Sequence, residues 1–193
     1  FTTATNVYNV GVGFDAGRSI TTGIKNTLIG GLAGDAMTDA DSNVAVGFEA
    51  LTVNTIGSKS VAIGQGTLSD QNPATAVDML NVAVGYNAGA SVSTGIRNTL
   101  IGAAAGDAMS TGNENVIIGY LAGTHGINLT TGKYNTLIGA YTDVGAADTE
   151  FANVIGYNVT GDEGYTTLGE ASNDIRAAHG NVTWATVSDV RYK

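Results

Sequence analysis

A short block recurs along this chain, and its regular spacing constrains the fold more than any other feature. The block reads Asn or Ser, then Val or Thr, any residue, Ile or Val, and Gly. Its final glycines are Gly13, Gly30, Gly47, Gly64, Gly85, Gly102, Gly119 and Gly139, with weaker copies ending at Gly156 and Gly169. Most copies lie 17 residues apart, as Gly13 and Gly30 do. Such a period indicates a stack of small repeated units.

Each unit predicts one short strand. The unit is too short for a pair of helices, and its β-branched residues are bounded by Asn and Gly, which is typical of a strand between turns. We therefore predict an all-β parallel solenoid of roughly 17-residue rungs stacked about 4.8 Å apart. The segment TGIKNTLIG at 22–30 returns as TGIRNTLIG at 94–102, four units later, which indicates growth by duplication.

Both faces of the predicted strands are apolar. Val44 and Val46 alternate with Ala45, so two different sets of side chains point to opposite sides. A strand face that is apolar on an outer surface needs a cover. We expect another copy of the chain to cover the face that runs through Leu28, Ala45, Ala62, Ala83, Leu100, Ile117 and Leu137, which predicts a parallel homo-oligomer.

Stacking also places identical residues above one another. The asparagines that open the blocks are expected to hydrogen-bond along the axis as a ladder. The glycines are expected at turns with positive φ or where backbones approach closely. The asparagines in question are Asn9, Asn26, Asn43, Asn81, Asn98, Asn115 and Asn135.

Composition excludes several classes of function. Eight Lys and Arg against 17 Asp and Glu give a formal charge of −9, which argues against binding a nucleic-acid backbone. The chain has no cysteine and only two histidines, His125 and His179, so we expect no cofactor and no metal centre. No apolar run approaches the ~20 residues of a membrane span, so we expect no membrane insertion.

The repeat blocks carry a family resemblance. NVAVGFEAL, SVAIGQGTL, NVAVGYNAG and NTLIGAAAG resemble the head repeats of trimeric autotransporter adhesins, and the spacing with TTG linkers is more similar still to repeats of phage tail fibres. The resemblance covers about residues 6 to 160 and implies a homotrimeric, left-handed parallel β-roll. We divide the chain into a repeat β-solenoid shaft or head at 1–160, a transition or neck segment at 161–187, and the start of a truncated or missing C-terminal domain at 188–193.

The last six residues, SDVRYK, resemble the opening of the intramolecular chaperone domain that follows many phage tail fibres. In that family the chain cuts itself before the serine and the lysine assists as base, which implies these roles for Ser188 and Lys193. Tyr192 stands where the family commonly has Leu. The body of that domain is absent from this sequence, so we expect self-cleavage only in a longer chain that contains it. We take this chain to be a fragment.

The resemblance implies a structural and adhesive segment of a phage tail fibre. We expect it in the extracellular virion tail, in contact with adjoining fibre segments and with a glycan or protein of the host surface. One alternative is the head of a bacterial trimeric adhesin on the cell surface. This alternative predicts a coiled-coil stalk with heptad repeats downstream, and residues 161–193 show no heptads. A less favoured alternative is a polysaccharide-degrading tailspike; otherwise we expect no enzyme.

Aromatic residues directly after a block glycine are the candidates for surface recognition, because exposed rings stack on sugars. The same rings could instead cap the roll or pack between neighbouring chains. They are Phe14, Phe48, Tyr86, Tyr120 and Tyr157.

Carboxylates and hydroxyls give weaker indications of three other functions: polysaccharide cleavage, calcium binding and ice binding. A tailspike would need two carboxylates about 5 to 10 Å apart. The available acids are Asp35, Asp39, Asp41, Glu49, Asp107, Glu114, Asp143, Asp148 and Glu150. The segment DADSN at 39–43 lacks the spacing of a standard calcium loop. Linker threonines change column between rungs, so we expect no regular hydroxyl array of the kind that binds ice.

Overall fold

The computed structural model describes residues 7–180 and the short strand at 185–186, and these residues contain strands and turns but no helix. The largest sheet has twelve strands. They are β1 Val10–Val12, β2 Thr27–Ile29, β3 Val44–Val46, β5 Val61–Ile63, β7 Val82–Val84, β8 Thr99–Ile101, β9 Val116–Ile118, β10 Thr136–Ile138, β12 Asn153–Tyr157, β14 Tyr165–Glu170, β15 Asn173–Ala178 and β16 Ala185–Thr186. Two pairs lie elsewhere: β4 Gly57–Ser58 with β6 Val77–Asp78, and β11 Asp143–Val144 with β13 Thr160–Gly161.

The chain forms a β-solenoid, as predicted. Nine successive parallel pairs join β1 to β14, each between equivalent positions of neighbouring repeats. Val44, for example, pairs with Thr27 on one side and Val61 on the other. After β14 the direction reverses, because β14, β15 and β16 pair antiparallel. Parallel stacking thus continues past residue 160 into the segment that we assigned to a neck.

The interior of the coil is filled by the face that we expected a second chain to cover. Leu28, Ala45 and Leu100 are fully buried within this single chain. Our assignment of this face to a chain–chain contact was therefore wrong, because one 17-residue coil closes around these side chains by itself. The opposite face points outward, where Ile63 and Ile101 are more than a third exposed.

Side-chain size is matched across the interior. Where the middle residue of the strand is large, as at Leu28 and Leu100, the facing turn has a glycine, and a Cβ added at Gly34 or Gly106 would lie 2.9 or 3.0 Å from that leucine. Where the middle residue is Ala45 or Ala62, the turn instead carries a buried leucine, Leu51 or Leu68. At Ala83 the turn has Gly89, and there the leucines of the neighbouring rungs, Leu68 and Leu100, fill the space. The interior thus stays filled along the stack.

The block glycines are required by conformation and by space. Gly102 has a φ of +132°, and a Cβ on it would lie 2.5 Å from the carbonyl oxygen of Gly119 in the next rung. Another column, directly before the block asparagine, adopts the left-handed conformation without glycine, for example at Lys25 and Arg97. The backbone N–H of Arg97 donates to the Met79 carbonyl at 2.8 Å, so bonds to the neighbouring rung hold this turn.

The predicted asparagine ladder is present and buried. Nδ2 of Asn98 donates to Oδ1 of Asn81 at 3.2 Å and to the Gly112 carbonyl at 2.8 Å. Oδ1 of Asn98 accepts the backbone N–H of Asn115 at 3.0 Å and its Nδ2 at 3.1 Å. Each such amide therefore bonds to the rungs on both sides and fixes their register.

One rung replaces the ladder asparagine with Ser60. The serine is too short to reach the next rung, and Oε1 of Gln71 takes the place of the missing amide. It accepts from the Ser60 hydroxyl at 3.1 Å and from Nδ2 of Asn81 at 3.0 Å. The equivalent of Gln71 in a later rung is Met109, whose sulfur lies 3.4 Å from Nδ2 of Asn115.

The Ser60–Gln71 arrangement can be introduced by mutation at the equivalent positions of another rung, Asn98 and Met109. We expect Asn98→Ser to lower the free energy of unfolding by about 2 kcal/mol, because buried groups of Asn115 and Gly112 lose their partners. Adding Met109→Gln should restore about half of that loss, since Met109 is placed relative to Asn98 as Gln71 is to Ser60. Thermal unfolding followed by circular dichroism measures both. A double variant no more stable than Asn98→Ser would contradict the role assigned to Gln71.

A second prediction separates backbone strain from steric clash at glycine. Gly102→Ala should cost about 3 kcal/mol or more, because it adds both an unfavourable φ and an overlap with the Gly119 carbonyl. Gly164 has a φ of +72° with open space around it. Gly164→Ala is therefore the control for a positive φ without the clash, at a φ that side chains tolerate better, and it should cost only about 1 kcal/mol. Equal losses in thermal stability would show that the close approach between rungs is unimportant.

Candidate functional site

The aromatic residues that follow the block glycines form a row on the surface, which we call the aromatic rank. Each ring comes where the backbone leaves the strand, so it projects from the edge of the outer sheet face. The exposed fractions run from 47% to 77%. The members are Phe14, Phe48, Tyr86, Tyr120 and Tyr157. The structure therefore places all the residues that we predicted for surface recognition in one column.

The rings occupy every second rung. The intervening rungs carry Gly31, Gln65, Ala103 and Ala140 at the same position. A Cβ added at Gly31 would lie 3.3 Å from the Phe48 ring, so the absent side chain leaves room for the aromatic of the next rung. Two rungs correspond to about 9.6 Å, which leaves a gap between successive rings.

The residue after each ring alternates in the same way. Phe48 is followed by Glu49, Tyr86 by Asn87 and Phe14 by Asp15, whereas the intervening rungs have Leu32, Gly66 and Ala104. These polar residues are only partly buried and adopt the left-handed conformation. Four of the five rings thus have a polar neighbour; the exception is Tyr120, which Leu121 follows.

At its C-terminal end the rank becomes a continuous aromatic cluster. Tyr141 lies between Tyr120 and Tyr157, with ring centroids 5.4 and 5.7 Å away in edge contacts. The His125 ring lies 4.5 Å from Tyr141. Sequence reasoning missed both residues, because Tyr141 is one column away from the other rings and His125 lies in an insertion.

A buried carboxylate holds that insertion in place. Oδ2 of Asp143 accepts the backbone N–H groups of Gly126 and Ile127 at 2.6 and 2.8 Å. Its Oδ1 accepts the N–H of Val144 at 2.9 Å. Asp143 is therefore a structural residue that positions the loop beside the aromatic cluster.

Other candidate acids also bond between rungs. Asp35 accepts from the Thr52 hydroxyl at 2.8 Å, and Asp41 accepts the Ile24 N–H at 2.7 Å. Glu114 pairs with Arg97 at 2.8 Å, and Glu150 lies 4.0 Å from Lys133. These contacts give the acids a role in holding neighbouring rungs together.

Asp39 and Asp41 are the two carboxylates of the DADSN segment at 39–43 that could contribute to a calcium site. Asp39 accepts from the Thr22 hydroxyl at 2.5 Å, so each of these carboxylates already has a partner in the rung before. Within the part of the chain that the structure describes, no group of three or more Asp, Glu or His side chains could hold a metal ion.

The linker hydroxyls do form a column, contrary to our expectation. Thr21, Thr38 and Thr55 lie in register, and the first two donate to the backbone carbonyl of the next member at 3.0 and 3.2 Å. Ser93 and Ser110 continue the pattern with bonds of 3.1 and 3.2 Å. The expectation was wrong because Thr21, Thr38 and Thr55 are 17 residues apart and so already share one phase of the coil. The hydroxyl protons are thus donated from one rung to the next, even where the side chain is exposed, as at Thr21.

A second aromatic pair lies on another column. Tyr134 and Phe151 stack with centroids 4.9 Å apart and are both exposed. They directly precede the ladder position and are separate from the aromatic rank. Ser188 and Lys193, the residues implied in self-cleavage, lie outside the described residues, as does Trp184.

Among the acids, Asp107 has a shifted pKa. Burial raises the pKa of its carboxyl, and hydrogen bonds from Thr124 and from backbone amides partly oppose the shift. The charged form is thus less favourable in the folded state than in the unfolded state. The resulting loss of stability is absent at low pH, grows as the pH rises from the usual pKa through the raised one, and is constant above it.

We therefore expect Asp107→Asn to raise the melting temperature at pH 7 and to leave it unchanged near pH 3. The gain should stay below about 1 kcal/mol, because solvent screens a partly exposed carboxylate. Asp148→Asn removes the same charge at an exposed position and is the control. Calorimetry that finds the same gain at both pH values would contradict the assignment.

No family model, curated protein or solved structure matches the chain. Among the described residues no helix has the length and apolar character that crossing a membrane requires.

Proposed function

We propose that this chain is a structural and adhesive segment of a trimeric phage tail fibre that attaches the virion to the host surface. One observation carries the proposal: a row of aliphatic side chains on the outer sheet face. Each is between 36% and 43% exposed: Ile29, Ile63, Ile101, Ile138 and Ile155.

A continuous apolar row is unusual on a free surface and favours contact with a partner. Because the row runs along the whole stack, its natural partner is an equally long surface with the same repeat. A second and third copy in parallel provide that surface. We infer a homotrimer in which these rows meet around a common axis, with the left-handed roll that the resemblance implies.

The role follows from shape and surface. Stacked rungs give a rod whose inner contacts repeat along its length, which suits a fibre that transmits contact with a surface. The aromatic rank supports attachment to a host glycan or protein. We place the segment in the extracellular virion tail, joined to other fibre segments. In a longer chain with the complete chaperone domain, Ser188 and Lys193 would serve self-cleavage.

The second candidate is the head of a bacterial trimeric adhesin at the cell surface, which the same exposed row favours equally. The parent gene separates the two. Continuation past Lys193 into a chaperone-like domain supports the tail fibre, whereas heptads followed by a membrane barrel support the adhesin. The polysaccharide-degrading tailspike is less favoured, because several of the candidate acids bond between rungs.

Neighbouring residues on β8 test the proposed trimer. We expect Ile101→Asp to leave the coil folded and to reduce the molar mass in light scattering from three chains to one, since Ile101 points outward. Leu100→Asp buries a charge inside the coil and should cost more than about 4 kcal/mol, so it disrupts folding itself. Circular dichroism distinguishes the two effects.

Thr111→Asp serves as the control, because Thr111 is exposed in a linker away from the outer sheet face. It should change neither molar mass nor circular dichroism. A wild-type chain that is monomeric at all concentrations, or a trimer that survives Ile101→Asp, would overturn the proposed assembly.

A further inference from the structure

The aromatic rank has the period of a particular kind of ligand. Its rings stand on alternate rungs, about 9.6 Å apart along the axis, with a small residue or Gln65 between them. We propose that the rank binds a neutral, linear, β-1,4-linked glycan that lies along the rod, with every second sugar stacked on a ring. This inference rests on the proposed function and names the class of receptor that the segment takes.

Stacking supplies the attraction. The C–H groups of a pyranose form an apolar face that packs on an aromatic ring, and each ring of the rank is at least 47% exposed. The rings of Phe14, Phe48 and Tyr86 have no aromatic contact with one another, because a whole rung separates successive members. No neighbouring ring of the rank therefore covers them, and each keeps about half or more of its surface exposed.

The alternation matches the geometry of a β-1,4-linked chain. In such a chain each sugar is turned over relative to the one before it, so every second sugar presents the same face to a surface. Two linked pyranoses in an extended chain are about as long as two rungs. Between Tyr86 and Tyr120 the intermediate sugar then lies over Ala103, a small residue. At Gly31 the absent side chain instead makes room for the Phe48 ring itself.

Polar neighbours supply hydrogen bonds at the same period. Glu49 and Asn87 follow their rings directly and are partly exposed. The Glu49 carboxylate can accept hydrogen bonds from the hydroxyls of the stacked sugar, and the Asn87 amide can accept or donate. A Cβ on Gly66 would contact Oδ1 of Asn87, so this glycine leaves space for the amide. The intervening rungs have apolar residues or glycine here.

Charge favours a neutral glycan over an acidic one. The chain carries a formal charge of −9, and two of the polar neighbours, Asp15 and Glu49, are acidic. Asp15 pairs with Arg18 at 2.9 Å, an exposed contact. A polysaccharide with regular carboxylates or phosphates would meet like charge along the rank.

The part of the aromatic rank that is open to a glycan has a definite length. Between Tyr120 and Tyr157 the gap is filled by Tyr141, which contacts both rings. The open part therefore runs from Phe14 to Tyr120, four rings separated by three gaps. A glycan of seven sugars would place its first, third, fifth and seventh units on these rings.

The test is isothermal titration calorimetry of the full chain with N-acetylglucosamine oligomers of two to seven units, and with the matching glucose oligomers. We expect affinity to rise at three, five and seven units and to change little at four and six. Phe48→Ala and Tyr86→Ala should each weaken binding of the seven-unit oligomer about threefold to tenfold. Tyr134→Ala removes an exposed ring from the other column and should have no effect.

Failure to bind either oligomer series, affinity without the two-unit steps, or an equal loss in Tyr134→Ala would overturn the inference. Light scattering of the same variants separates it from the proposed function. If Phe48→Ala dissociates the oligomer, the rings pack between chains and the glycan inference is wrong while the fibre proposal stands. A monomeric chain that still binds in two-unit steps supports the inference and overturns the trimer.

Discussion

The buried hydrogen bonds between side chains of successive rungs are the contacts on which the rest of this molecule depends. Each ladder asparagine, such as Asn98, bonds to both neighbouring rungs, and its acceptor is buried where water cannot replace it. A shift of one residue in any rung would leave several of these groups unpaired. The ladder therefore fixes the register, and only with a fixed register do equivalent side chains line up as columns.

Within that register the interior tolerates variation through compensation. Leu28 and Leu100 in the strands are matched by Gly34 and Gly106 in the turns, and Ala45 and Ala62 are matched by Leu51 and Leu68. Leu68 adopts a φ of +49°, an unfavourable conformation for leucine. Filling the space beside Ala62 offsets that strain. The ladder follows the same logic, since Gln71 replaces the amide that Ser60 lacks.

Period, strand position and ladder could be predicted from the sequence, because each follows from residues that repeat in one phase. The inward face could not, because alternation in Val44 to Val46 shows that two faces exist and does not show which one the coil encloses. The hydroxyl column was visible in the 17-residue spacing of Thr21, Thr38 and Thr55, and it was missed because other linker threonines fall in different columns. Of the candidate site, the rings were visible as a motif. Tyr141 was missed because it lies one column away from them, and His125 joins the site only through folding of an inserted loop.

The alternation along the rank has a consequence for how such a gene changes in length. Units at 22–30 and 94–102 are near copies four repeats apart, and both belong to rungs with a small residue, Gly31 and Ala103, after the glycine. Recombination between repeats an even number apart keeps aromatic and small residues in turn. An odd step would place two rings, or two gaps, on adjacent rungs. Selection for the alternating aromatic rank would thus favour the gain or loss of two repeats at a time.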